Sequence, residues 1–108
     1  MHELSVATAI VDVCAQRAAG ARILRVRVEV GRLVAVLPDS LRFCFEVCAQ
    51  GTPVEGAELE IIETPGRARC EDCGQIVGLR SPFGRCACGG VLSVIAGQEL
   101  RVKEMEIE

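Results

Sequence analysis

The chain has 108 residues, half of them apolar and a quarter charged, with a formal net charge of −3. It reads as one small globular unit, and without a Lys/Arg cluster, at 3% aromatic content, it lacks the electrostatic and stacking signatures of a nucleic-acid binder. No Ser/His/Asp set or carboxylate pair stands out from the surface charges, so the chain reads as a non-enzyme with no catalytic residues and no organic cofactor.

The N-terminus, Met1-His2-Glu3, passes into an amphipathic stretch. This predicts neither a signal peptide nor a membrane span, and hence a cytoplasmic protein. Leu4, Ala7, Val11, Cys14 and Ala18 recur at spacings of three and four, with Ile10 beside them, and Gly20 closes the run. A helix with one buried face follows, with Cys14 as a small buried hydrophobe and Glu3 at the positive end of the dipole. Ile23 to Val30 alternates, with Val26, Val28 and Val30 on one side of a half-buried strand. Pro38 suits the first turn of a second helix, which carries Leu41, Cys44, Phe45 and Cys48 on one face and ends at Gly51. Cys44 and Cys48 read as core beside Leu41 and Phe45.

Glu58 to Ile62 predicts a second strand with Leu59 and Ile61 inward. Thr64, Pro65 and Gly66 lead into a cysteine-bearing insertion, Gly97 leads out, and Glu99 to Glu108 resumes as a last strand. A bulge in that strand would keep both Leu100/Val102 and Met105/Ile107 inward. The strands flanking the insertion would most simply pair antiparallel. The expected fold is α+β, with two helices packed on a three-stranded mixed sheet and an inserted zinc-ribbon-like zinc domain.

Within the insertion, Cys70 and Cys73 precede Gly74, and Cys86 and Cys88 precede Gly89 and Gly90. Two thiolate pairs at this separation can give four sulfurs to one tetrahedral ion at Zn–S distances of roughly 2.3 Å. Gln75 to Leu79 could form a short strand between them, with Pro82 and Gly84 turning the chain. Zinc is the reading taken, as a structural ion, because four sulfurs leave no open position. An iron–sulfur cluster, a disulfide pair or a redox dithiol are the alternatives. With few aromatic residues in the core, such an ion would supplement the packing.

Met1-His2-Glu3-Leu4-Ser5, Pro38-Asp39-Ser40-Leu41-Arg42-Phe43, Phe45-Glu46-Val47, Gly51-Thr52, Gly56-Ala57 and the four-cysteine block together resemble the HypA/HybF family. The likeness runs along essentially the whole chain. It implies a nickel metallochaperone of nickel–iron hydrogenase maturation, with residues 1–65 plus 98–108 as the nickel-binding domain and residues 66–97 as an inserted zinc domain. The implied partners are the hydrogenase large subunit and a GTPase of the same pathway; no nucleic acid or membrane is implied, and a homodimer is compatible. One departure is that the family usually has two residues between its last two cysteines, where this chain has Ala87 alone.

His2 is the only histidine. The amine of Met1, the deprotonated amide of His2 and its imidazole can close two fused chelate rings on one ion, a nearly planar nitrogen set that suits Ni(II) or Cu(II), and the resemblance implies Ni(II) as transferred cargo. Glu3 could complete the set through its amide or carboxylate, and Asp39 is an outside candidate. A zinc-ribbon adaptor without nickel delivery would share the cysteines but have no use for His2.

Overall fold

The computed structural model describes residues 2–108. The order is α1 (Glu3–Ala18), β1 (Ile23–Gly31), a 3-10 turn (Arg32–Val34), α2 (Pro38–Ala49), β2 (Glu58–Thr64), β3 (Gly66–Cys70), β4 (Ile76–Leu79), β5 (Leu92–Ala96) and β6 (Leu100–Ile107). The chain divides into two compact units: one holds the chain up to Glu29, Val36–Ile62 and Arg101–Glu108, the other Val30–Ala35 and Glu63–Leu100.

In the helical unit, α1 buries Val6, Ala7, Ile10, Val11, Cys14 and Ala18. Leu4, expected on this stripe, is 56% exposed; it lies in the first turn, where the helix borders an open groove. Two helices packed on a mixed sheet are found as expected. α2 buries Leu41, Phe45 and Ala49 and packs on α1. Cys44 and Cys48, expected as core, are half-buried at the rim of that packing, with the Cys48 Sγ 3.5 Å from Thr8 Oγ1. Ala49, small and fully inward, takes the place that Cys48 was expected to hold. After α2, Gly51 adopts φ 78°, and the Thr52 N–H donates to the Ala49 carbonyl at 3.0 Å, so the left-handed residue closes the helix as a glycine can without Cβ strain.

The first sheet has the order β2-β1-β6. β1 lies in the middle because it alone carries three fully inward valines, Val26, Val28 and Val30. Ion pairs Arg25–Glu58 and Arg27–Glu60 advance along β1 and β2 in the same sense, which marks a parallel pair joined by the α2 crossover. Backbone bonds Gly31 to Glu99 and Glu108 to Arg22 run in opposite senses, so β6 is antiparallel to β1. The expected pairing of the strands that flank the insertion is therefore corrected: β2 and β6 lie on opposite sides of β1. In β6 only Val102 and Met105 are half-buried, whereas Leu100 and Ile107 are exposed. An edge strand has a neighbour on one side alone, and its ends stay uncovered.

The second unit is a sheet of order β4-β3-β5 with β3 antiparallel to both neighbours. Neither β3 nor β5 is visible as an alternating pattern. β3 faces inward with Gly66, Ala68 and Cys70, residues that carry little hydrophobic signal. Pairing with β5 shifts between Arg67 and Ala68, from Ala96 to Val94, so Ile95 is skipped and the period of two is lost. Leu33 packs in this unit against Gly66 and Gly97, and its N–H donates to the Gly97 carbonyl at 2.9 Å. A Cβ on Gly97 would lie 2.5 Å from the Gly66 Cα, so this close approach of two backbones admits only glycine.

Candidate metal centre

Cys70 ends β3, Cys73 lies in the turn that follows, and Cys86 and Cys88 lie in the segment before β5. All four sulfurs fall within 4.8 Å of one another. The Cys70–Cys88 and Cys73–Cys86 separations are 3.5 and 3.6 Å. A tetrahedron with metal–sulfur bonds of ~2.3 Å has edges of ~3.8 Å, so the spacing fits one four-coordinate ion. It is far longer than the ~2.05 Å of a bonded disulfide.

The two knuckles close differently. Gly74 donates to the Cys70 carbonyl at 3.0 Å, and Gly89 donates to the Cys86 carbonyl at 2.8 Å. The second loop is thus one residue shorter, which is how Cys86 and Cys88 converge with Ala87 alone between them. Gly74 and Gly89 both take positive φ, 76° and 86°. Backbone N–H groups then point at sulfur: Cys73 N lies 3.4 Å from Cys70 Sγ.

These dipoles separate the thiols electrostatically. The Cys73 N–H, with that of Asp72, lowers Cys70 to about 7 against the opposing effect of burial. Cys88 also receives the Gly90 N–H, yet it is pushed up to about 12 by the neighbouring Cys70 and Cys86 sulfurs. The Gln75 N–H favours the Cys73 thiolate, but Cys70 and Cys86 outweigh it and raise that thiol too. Four thiolates so close repel one another, and a divalent cation is the species that lets all of them ionise.

Cys70 and Cys86 are buried, whereas Cys73 and Cys88 are exposed. Gly90 closes the buried side: a Cβ there would lie 2.6 Å from Cys70 Sγ and 2.7 Å from Asp72 Oδ2. Gly90→Ala is accordingly expected to displace Cys70 and destabilise this unit by about 1–3 kcal/mol, the range for overpacking. Thermal melts of the metal-loaded protein check this, and an unchanged midpoint counts against the tight approach. The role of Gly90 had no visible signal in the sequence beyond its place after the last cysteine.

His2 is exposed at the N-cap of α1, with φ −79° and ψ 125°. Its carbonyl accepts the Val6 N–H at 3.2 Å, while its own N–H belongs to the helix-start donors that have no partner within the helix. Glu3 opens α1, and its carboxylate accepts the Leu37 N–H at 3.1 Å. His2, Glu3, Asp39, Ser40, Phe43 and Cys44 line one open groove of about 500 Å³. The structure therefore brings His2, Glu3 and Asp39 into one place, although among the described residues only the four cysteines converge at ligand distance. Met1 lies outside the described residues.

Fold and centre together define a small metal-binding protein with a helix–sheet unit and a three-stranded unit that carries a four-thiolate cluster. The family model described as hydrogenase/urease nickel incorporation, metallochaperone, hypA matches residues 1–107. A hydrogenase maturation factor HypA of Rippkaea orientalis is 53% identical over 110 residues, covering 100% of this chain and 96% of the relative. Another, of Geobacter metallireducens, is 46% identical with 100% of both chains covered. The solution structure of the Ni metallochaperone HypA from Helicobacter pylori superposes with a TM-score of 0.71 at 27% identity, over 99% of this chain and 97% of that one. The chain belongs to the HypA family of hydrogenase/urease nickel-incorporation metallochaperones. Among the described residues no helix is long and apolar enough to cross a membrane.

Proposed function

We propose that this chain binds Ni(II) at its N-terminus and delivers it during nickel–iron hydrogenase maturation. The observation that carries this reading is the position of His2: exposed, held by its carbonyl at the start of α1, with its amide not needed by the helix. Deprotonating that amide for a metal breaks no helical hydrogen bond. The Met1 amine, the His2 amide and the His2 imidazole form the chelate, and the Glu3 backbone amide completes it. Asp39 stands in the same groove as an outside ligand.

Cys70, Cys73, Cys86 and Cys88 hold a structural Zn(II). Residues 1–65 plus 98–108 serve nickel and residues 66–97 serve zinc. Recipient and helper are a hydrogenase large subunit and a nickel-pathway GTPase, encountered in the cytoplasm. The chain acts as a carrier, not a catalyst.

The test is complementation. In a host lacking its own factor of this kind, the native chain restores hydrogenase activity, and His2→Ala is expected to restore under about a tenth of it unless the medium is flooded with nickel, as linkage between site occupancy and metal supply requires. Full restoration by His2→Ala at low nickel would leave the chain as a zinc-ribbon adaptor without nickel delivery.

A further inference from the structure

We propose that the Glu3 carboxylate is a positioning group that fixes the nickel chelate beside Asp39, and not itself a nickel donor; this role rests on the reading of His2 above. Neither α1 nor α2 has a side-chain cap of its own: His2 and Leu37, the two N-cap residues, make no side-chain cap bond. In a capping box, a Glu or Gln at the third position of a helix reaches back to the N-cap N–H. The third residue of α2 is Ser40, too short for that reach. Glu3 supplies the acceptor from the neighbouring helix, with its Oε2 3.1 Å from the Leu37 nitrogen.

The carboxylate thereby serves two helix starts. It sits in the first turn of α1 and at the N-cap of α2, so its charge faces the positive ends of both dipoles. His2 immediately precedes Glu3, and Asp39 lies two residues beyond Leu37. One hydrogen bond therefore ties together the two stretches of chain that line the groove. The Leu37 bond turns the Glu3 carboxylate toward the start of α2 through Oε2, whereas the Glu3 amide, a helix-start donor that α1 does not use, is available to the ion.

The test compares Glu3→Ala and Glu3→Gln in the full, zinc-loaded chain by hydrogen exchange at the Leu37 amide without nickel and by Ni(II) titration. Gln keeps an acceptor oxygen and loses only the charge. Glu3→Ala is expected to speed Leu37 exchange and weaken nickel binding about tenfold, the scale of losing one helix cap. Glu3→Gln is expected to keep Leu37 protected and stay within about threefold of native affinity, since only the dipole attraction is lost. Unchanged Leu37 exchange in Glu3→Ala overturns the role, and so does a Gln variant that protects Leu37 yet loses nickel as Ala does, because the carboxylate would then be a donor. Failure of the underlying reading shows elsewhere: native nickel binding by His2→Ala ends both proposals, whatever Leu37 does.

Discussion

Ni(II) titrated into His2→Ala is expected to bind more than ~100-fold more weakly than to the native chain, since even changes outside the ligand shell of a metal site cost about 10–100-fold. In the proposed site the imidazole closes the second of two fused rings, and without it the Met1 amine and the backbone amides would make a poorer grip. An extension of Gly-Ser before Met1 is expected to weaken the site similarly, because it converts the amine into an ordinary amide. Zinc content stays native in both variants. The pH dependence has one sign: the amine and amide of the proposed chelate give up protons to the ion, so protons compete, and affinity falls as pH falls. Calorimetry on the three forms at two pH values decides the matter, and native-like affinity in His2→Ala ends the N-terminal assignment.

How much of this was legible in the residues depended on where the physics is local. α1, β1 and α2 announce themselves through spacing, because their buried residues include large apolar ones, Val, Ile, Leu and Phe, and a loud apolar pattern fixes both element and face. Cysteine spacing likewise pointed to four sulfurs that the fold brings within reach of one ion. β3 and β5 were silent because small residues and a skipped Ile95 erase the alternation. Strand order escaped as well, since neighbours in sequence do not have to be neighbours in a sheet. The Glu3–Leu37 bond joins residues 34 apart, and no local pattern could reveal it. Leu33 shows the same limit: it follows β1 in sequence but packs with Gly66 and Gly97 in the second unit.

Cys70→Ser and Cys86→Ser are each expected to lose the zinc and to unfold the second unit while α1 and α2 keep their helical signal. Buried hydrophobic side chains in that unit amount to Val30, Leu33, Ala68, Cys70 and Cys86, and strands of four or five residues cannot sustain a fold on so small a core. A structural zinc ion contributes apparent binding of about 10–16 kcal/mol at neutral pH, which outweighs anything this packing supplies. Removing one thiolate therefore removes the main source of order there, whereas the helical unit retains Phe45, Leu41, Val26 and Val28 as its own core. Proton competition again sets the sign with pH. In the absence of an ion, Cys70 at about 7 is half ionised near neutrality, but Cys88 at about 12 is a thiol, so binding must expel protons, and zinc is held less tightly as pH falls. At fixed chelator concentration, zinc release is expected to rise steeply between pH 8 and pH 6, about tenfold per unit for each proton displaced. Metal analysis and circular dichroism on the two serine variants, with chelator titrations of the native chain at both pH values, check this. Full zinc retention by both variants, or release that ignores pH, would sink the four-thiolate assignment.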